Sequence, residues 1–328
     1  MHSAFNTDPF GRRIDYMRLS ITDRCNERCL YCMPEGFKGW RQRAEILTDD
    51  EVVACATAFA REGVSKFRIT GGEPLVRAGV PALLARLGSL PGVTGLSLST
   101  NAIKLAPLAD DLARAGVRSV NVSLDALTPA TYARVTGGRV EAVTEGIRAA
   151  QAAGMRVKLN CVLMRGVNET EIFPLIEWAA AHDCLLRFIE LMPLSRTDVL
   201  TEKNFLPLGE VMRSIAARTR MEQDDRRHGD GPATYRRLPE FGCSVGFIGA
   251  ITNLSFCAGC NKMRMTADGK LRPCLGHHDE TDLMPALRPS PSPETLAAIF
   301  RATLRRKPEA HAFRDNYQPL RPMTAIGG

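Results

Sequence analysis

Short apolar runs alternate with amphipathic stretches through the first two thirds of this chain, and that alternation predicts its architecture. Met17 to Ile21 reads as a strand. Thr48 to Glu62 reads as a helix, with Thr48 as N-cap, Glu51 completing a capping box and Gly63 closing it. The strand Lys66–Thr70 follows and ends in Gly71-Gly72-Glu73-Pro74. The unit then repeats. Helix Val80–Gly88 leads to strand Gly95–Ser99, and helix Leu105–Ala115 to strand Ser119–Ser123. Helix Val140–Ala153 leads to strand Arg156–Leu163, and helix Glu169–His182 to strand Leu185–Glu190. Gly63, Gly116 and Gly154 each stand where a helix must stop before the next strand.

Alternation at this spacing means parallel strands joined by right-handed crossovers, and six such strands predict a barrel or partial barrel. Gly72, Ser99, Ser123, Lys158 and Met192 are read as gathering at C-terminal strand ends, where parallel α/β folds carry chemistry. From about Pro193 the alternation stops. Asn204–Arg220 reads as one more helix and 222–232 as a charged, glycine-containing loop. Strand-like runs follow at Tyr235–Leu238, Ser244–Ile248, Met263–Thr266 and Leu271–Pro273, with Asp268-Gly269 as a hairpin turn. A Pro/Ser linker at Pro289–Pro293 leads to helix Pro293–Arg306 and a polar tail ending Ile326-Gly327-Gly328. The expected division is a barrel over 1–195 and a smaller α+β C-terminal region over 196–328.

A chain of 328 residues can bury a large core, which suits one α/β unit with an appendage. There is no charged-then-apolar leader at Met1 to Phe10 and no apolar run of about 18 residues, so a cytoplasmic protein without a membrane span is expected. The formal charge of +7 fits either solubility or an anionic ligand. With aromatics at 6% and no Lys/Arg block interleaved with them, a nucleic-acid-binding surface is disfavoured.

Ten cysteines are too few for a disulfide scaffold of this length, and they cluster as metal ligands do. Cys25, Cys29 and Cys32 form a C-x3-C-x2-C group directly after the first strand. A closed structural zinc site wants four ligands, and no fourth Cys or His lies nearby. Three thiolates suit a cubane 4Fe–4S cluster with one iron left open to a small molecule. A second group, Cys257-x2-Cys260-x13-Cys274, brackets the predicted hairpin. By spacing alone, His277 or His278 could complete a Cys3His zinc site there; beside the first group, a second open cubane is favoured. Cys55, Cys161, Cys184 and Cys243 are scattered and read as buried small hydrophobes.

The first group, with Tyr31 before its third cysteine, resembles the radical S-adenosylmethionine (SAM) superfamily. In that superfamily SAM chelates the open iron and is cleaved to a 5′-deoxyadenosyl radical. The ordered set of motifs narrows the resemblance. Arg18-Leu19-Ser20, Thr22-Asp23-Arg24-Cys25, Arg68-Ile69-Thr70-Gly71-Gly72-Glu73-Pro74-Leu75, Asn121-Val122-Ser123-Leu124-Asp125, Arg187-Phe188-Ile189-Glu190, the second cysteine group and Gly327-Gly328 all recur. Across nearly its full length the chain resembles the molybdenum cofactor biosynthesis protein A family, the GTP 3',8-cyclases.

The resemblance implies an open (β/α)6 barrel with a C-terminal extension carrying a second 4Fe–4S cluster. It implies a lyase that uses SAM and two clusters, on Cys25, Cys29, Cys32 and on Cys257, Cys260, Cys274. It also implies SAM contacts at Tyr31, Gly72, Ser123 and Met192, and GTP contacts at Arg18, Arg68, Ser99, Lys158, Lys262, Met263 and Arg264. Arg18 and Lys158 are further implied in catalysis, and Gly327-Gly328 as a tail threading into the site. Lys262 stands where the family pattern has arginine, so the bidentate fork is lost there. Implied partners are GTP as substrate, an external electron donor and the next enzyme of the molybdopterin pathway, with a homodimer compatible. Two other readings compete: a peptide-modifying radical SAM enzyme and a basic zinc protein.

Overall fold

The computed structural model describes residues 6–33, 36–195, 197, 201, 203–226, 228–315 and 317–327, so the expected role of Gly328 lies outside the described residues. The repeating unit is as the periodicity predicts. Its elements are β1 (Tyr16–Ser20), α1 (Asp49–Arg61), β2 (Lys66–Thr70), α2 (Val80–Gly88), β3 (Gly95–Thr100), α3 (Ala109–Arg114) and β4 (Ser119–Ser123). They continue through α4 (Pro129–Thr136), α5 (Val140–Ala152), β5 (Arg156–Leu163), α6 (Ile172–Ala181) and β6 (Leu185–Glu190). The capping box of α1 forms as expected: Thr48 accepts from the Glu51 amide and the Glu51 side chain accepts from the Thr48 amide.

The remaining elements are α7 (Leu208–Ala216), β7 (Glu222–Gln223), β8 (Thr234–Leu238), β9 (Cys243–Ile248), β10 (Lys262–Met265), β11 (Lys270–Arg272), β12 (Thr281–Asp282), α8 (Met284–Leu287), α9 (Pro293–Arg305) and α10 (Met323–Ile326). Their strands do not form a sheet of their own. One 12-stranded sheet runs β12-β11-β10-β1-β2-β3-β4-β5-β6-β9-β8-β7. β10 pairs parallel with β1 at one edge and β9 parallel with β6 at the other, each backed by antiparallel strands. The C-terminal region therefore widens the open barrel from both sides, where the sequence suggested an appended unit.

Strand alternation sorts the side chains. Met17, Leu19, Phe67, Ile69, Val120, Val122, Leu159, Phe188, Phe247 and Met263 point to the outer face and join one hydrophobic core under the helices. Phe59 of α1 packs against Phe300 of α9 with ring centroids 5.3 Å apart, tying α9 to α1. Parallel strands covered on both faces normally read as continuous apolar runs. Here the inner positions are polar, as in Lys66-Phe67-Arg68-Ile69-Thr70 and Ser119-Val120-Asn121-Val122-Ser123, because that face lines a cavity.

Several local expectations shift for identifiable reasons. The helix expected over Asn204–Arg220 is reduced to α7, since Pro207 disfavours helical geometry before it and Glu190 accepts from the Leu208 amide at 3.2 Å. Proline-started α4 was absent from the periodicity reading. The tail is not a polar end: Ile326, 3% exposed, packs with Leu194, Ala250, Phe313 and Tyr317. Cys243 is half-buried rather than buried, because it opens β9 near the sheet's end.

Replacing Thr48 by Ala removes one side of the observed capping box. It is expected to lower stability by about 1 kcal/mol, read as a lower midpoint in urea with an unchanged slope.

Candidate active site: two cysteine groups across one cavity

The first cysteine group sits in the loop leaving β1. Four backbone hydrogen bonds pin that loop. The amides of Gly72 and Glu73 donate to the carbonyls of Thr22 and Arg24 at 2.8 and 2.7 Å, and those of Arg28 and Leu30 donate to Thr136 and Val135 at 2.8 and 2.9 Å. The Cys32 amide closes a turn on the Cys29 carbonyl at 3.0 Å. A Cβ on Gly71 would stand 2.5 Å from the Thr22 carbonyl oxygen, and one on Gly72 would stand 2.5 Å from that of Asp23. The paired glycines thus admit the cysteine loop itself, a closer requirement than room for a ligand.

Burial raises the Cys25 thiol to about 11 and the Cys32 thiol to about 12, and lifts Cys29 well above its usual range. Cys25 and Cys32 both act on Cys29, and Cys25 acts on Cys32, so the three share one small space. Buried carboxylates surround them. Glu27 accepts from Tyr132 at 2.7 Å, Asp125 accepts from Tyr31 at 2.8 Å, and Glu73 accepts from Thr100 and the Asn101 amide. Burial pushes Glu27 and Glu73 up to about 7 and Asp125 up to about 6. Uncharged thiols in such surroundings ionise on binding a metal, releasing protons as they do so.

The cavity inside the sheet has a volume of about 1240 Å³. Arg264, Arg18 and Arg68 stand side by side across β10, β1 and β2, in register. They are mid-strand rather than at strand ends, and Lys158 lies in the first half of β5, not at its C-terminal end as the sequence suggested. Arg187 of β6 faces the same space, aided by Gly246, where a Cβ would come within 2.8 Å of the Arg187 side chain and 2.7 Å of the Tyr235 ring. Burial, then Arg187 and Arg68, hold Lys158 down at about 8; burial also brings Arg187 and Arg264 to about 10. Burial and then Arg264 depress Arg18. Among the described residues, Arg68 Nη1, Arg187 Nε and Nη2, Asn121 Oδ1, Asn160 Oδ1 and Ser99 Oγ are buried without hydrogen-bond partners. Such orphans mark a cavity shaped for a polar ligand rather than for packing.

Cys257, Cys260 and Cys274 all line this cavity. The β10–β11 hairpin, turned at Gly269 with φ +75°, folds Cys274 back toward Cys260. Because Tyr16 pairs with Lys262, Cys260 lies level with the start of β1, whereas Cys25 lies beyond its end. The two groups therefore lie toward opposite ends of β1, the second lining the cavity directly and the first reaching it through Tyr31. The histidines considered as zinc ligands stand away from it. His277 bonds the Ala310 carbonyl at 3.1 Å, and His278 stacks on Tyr317 at 4.7 Å. His311, which spacing did not suggest, lines the cavity instead. Among the described residues no three Cys, His, Asp or Glu side chains converge as a single ion requires. A cubane holds its thiolates farther apart than one ion does, and three thiols at each end fit that donor set.

Of the other expected contacts, Tyr31 and Met192 line the cavity, and Ser123 ends β4 opposite Asn160. Lys262 faces inward, donating to the Asp230 carbonyl at 2.8 Å and to Asn261 at 2.6 Å. Met263 does not: its side chain lies in the outer core, and only its backbone is near the cavity's cation row. The carbonyl of Gly327 accepts from Arg264, and a Cβ there would stand 2.9 Å from Thr70 and 3.1 Å from Ser20. The tail thus enters between the ends of β1 and β2. Arg187, Asn121 and Asn160 were passed over in the sequence, although a lone polar residue between apolar strand positions is their signal.

Replacing Gly72 by Ala is expected to displace the cysteine loop. Iron bound after anaerobic reconstitution should fall by about half, from roughly eight per chain to roughly four, with the remainder on the second group.

Residues 19–179 match the family described as the Radical SAM superfamily, and residues 184–313 match Molybdenum Cofactor Synthesis C. The chain is 44% identical over 328 residues to a GTP 3',8-cyclase of Erythrobacter litoralis, covering 98% of both chains. It is 44% identical over 311 residues to that of Rhodobacter capsulatus, covering 93% of this chain and 92% of the relative. Among solved structures, Streptococcus suis SuiB bound to S-adenosylmethionine superposes with a TM-score of 0.62 at 15% identity, covering 88% of this chain and 68% of that one. That likeness concerns the fold. With cysteines, cavity and relatives in agreement, the chain belongs to the GTP 3',8-cyclase family of the radical SAM superfamily.

Proposed function

We propose that this chain is a GTP 3',8-cyclase, converting GTP to (8S)-3′,8-cyclo-7,8-dihydro-GTP on the way to molybdenum cofactor. The observation that carries the reading is one cation-lined cavity with the second three-cysteine group in its wall and the first beyond the far end of β1, where Tyr31 of the same loop lines the cavity. Residues 1–195 form the barrel of this enzyme and 196–328 the region that brings the second cluster site and the tail. A 4Fe–4S cluster on Cys25, Cys29 and Cys32 with SAM beside it would supply the radical chemistry needed at C3′ of GTP.

The chain's own residues do the rest by alignment. Cys25, Cys29 and Cys32 hold the first cluster, with Tyr31, Gly72, Ser123 and Met192 around SAM. Arg18, Arg68, Lys158, Lys262 and Arg264 hold the triphosphate through charge-assisted hydrogen bonds, with Ser99 beside them. Arg187 joins this set, since its buried Nε and Nη2 have no other partner among the described residues. Cys257, Cys260 and Cys274 would hold the second cluster, which would anchor the purine end of the nucleotide. C3′ and C8 must meet in one conformer, so fixing both ends of the nucleotide is the larger part of catalysis. The Gly327 carbonyl on Arg264 keeps one guanidinium oriented and helps to exclude water.

The reaction draws electrons from an external one-electron donor and hands its product to a following enzyme of the pathway. All ten cysteines are unpaired, which suits a reducing cytoplasm. No helix among the described residues is long and apolar enough to cross a membrane.

The test is anaerobic iron–sulfur reconstitution followed by incubation with SAM, reductant and GTP. Formation of the cyclised nucleotide with 5′-deoxyadenosine is expected; stoichiometric zinc without iron, or turnover of a peptide but not GTP, would overturn the reading. Deleting Gly327-Gly328 should leave iron content unchanged and abolish cyclisation, and normal turnover by the truncated chain would count against the tail's role. Lys158 gives a pH signature. Its folded value is depressed to about 8, so it is a full cation below that and neutral above it. GTP affinity, measured by calorimetry, should therefore weaken as pH rises through about 8, and Lys158→Met should flatten that decline.

A further inference from the structure

One buried cation beside the second cysteine group is not among the residues given a role above. Lys307 follows α9 and is only 3% exposed. Its ammonium donates to the carbonyls of Lys262 at 2.7 Å and Pro273 at 2.6 Å. Those carbonyls belong to the two segments that present Cys260 and Cys274. Among the described residues no carboxylate reaches Lys307 within ion-pair distance, and two neutral carbonyls leave its charge uncompensated. A buried ammonium in that condition is costly unless an anion faces it.

The groups facing it are the three thiols. Lys307 acts electrostatically on Cys257, Cys260 and Cys274 alike, and it is the strongest cationic influence on Cys260 and Cys274. The neighbouring cations are engaged elsewhere. Arg12 pairs with Asp8 at 2.6 Å and also holds the carbonyl of Cys257, while Lys262 donates to the Asp230 backbone carbonyl and the Asn261 side-chain oxygen rather than to the segment of Cys274. A cubane on three thiolates carries net negative charge, and so would match Lys307, whose ammonium bridges the two segments that carry Cys260 and Cys274.

We propose that Lys307 is the built-in counter-ion of the second cluster, clamping the Lys262 and Pro273 segments while its charge stabilises the cluster and sets its potential. The inference rests on the second-cluster reading of the site. Lys307 is a positioning residue: it touches the chain that holds the cluster rather than the reacting atoms.

The experiment isolates the second site in a Cys25→Ala, Cys29→Ala, Cys32→Ala background, which should retain about four irons per chain after reconstitution. Into it go Lys307→Arg, which keeps the charge, and Lys307→Gln, which keeps a hydrogen-bond donor without charge. Lys307→Arg should hold iron near the level of the lysine form. Lys307→Gln should lose at least half of it, and the cluster that remains should titrate at a more negative midpoint potential by electron paramagnetic resonance. Melting of the iron-free chains adds a readout that needs no cluster. Without iron the lysine charge has no counter-ion, so Lys307→Gln should melt at or above the temperature of its parent. Full iron at an unchanged potential in Lys307→Gln would overturn the proposal, as would an equal loss of melting temperature with and without iron. If the parent background binds no iron, the second-cluster reading fails instead.

Discussion

The interior of this barrel sets cations side by side across neighbouring strands, and the rest of the structure is arranged to tolerate that. Neighbouring strands lie about 4.8 Å apart, so two cations in register repel by roughly 3 kcal/mol at an effective dielectric of about 20. Arg264, Arg18 and Arg68 form such a row, with Lys158 and Arg187 across the cavity from it. The depressed Arg18, Arg187 and Lys158 reflect burial first and one another second. Offsetting the row is the opposite face of the same strands. Each fully buried Met, Ile, Leu or Phe there contributes about 1.5–3 kcal/mol. Met17 and Leu19 flank Arg18, and Phe67 and Ile69 flank Arg68, all fully buried. A polyanion entering the cavity reverses the sign of the inner term, so the fold is poised for a triphosphate without needing one to hold together.

Topology decides what the charge is aimed at. β10 and β9 are far apart in the chain from the strands they join, yet they complete the two walls of the cavity. β10 brings Lys262 and Arg264 into line with Tyr16 and Arg18, and its hairpin delivers the second cysteine group. On the other wall, Glu190, only 1% exposed, accepts from the amides of Leu208, Ile251 and Thr252, fixing the chain where it leaves β6 and where it leaves β9. The same carboxylate thus ties the barrel strands to the later segments. An α+β appendage could not have been placed so closely by a linker.

Local features of this fold were legible in the sequence where their cause is local. The box at Thr48 and Glu51 and the strands Lys66–Thr70, Ser119–Ser123, Arg156–Leu163 and Leu185–Glu190 depend on neighbours within a few residues. The edge pairings β1–β10 and β6–β9 were not legible, because short-range periodicity carries no information about partners more than fifty residues away. The cysteine groups announced themselves by spacing, but the choice of neighbour did not. His277 and His278 follow Cys274 closely in sequence and point elsewhere, while His311 and Lys307 come from beyond α9 and line the cavity. Lys158 was read as a strand-end residue for the same reason: the cavity runs the length of the strands, which no window along one strand reveals. The alternation of charged and apolar residues in β2 and β5 did carry that signal. A helix-covered parallel strand has no other use for arginine or lysine at every second position.

Strand length also sets a ruler for the chemistry. Cys260 is level with the residues just before β1, and the first cysteine loop begins just after Ile21. At about 3.3 Å per residue, the seven or so intervening positions separate the two groups by roughly 20 Å along the strands. A span of that length suits two ligands, one at each group, and the one anchored at the second must carry anionic groups where the cation row lies. A nucleoside triphosphate has that shape; a free base or a small acid does not. Neither cysteine group could impose this choice by itself. The first supplies reactivity without selecting a substrate, and the second supplies an anchor without chemistry. What joins them is one sheet whose inner face is too polar to be core and cationic enough to favour an anion.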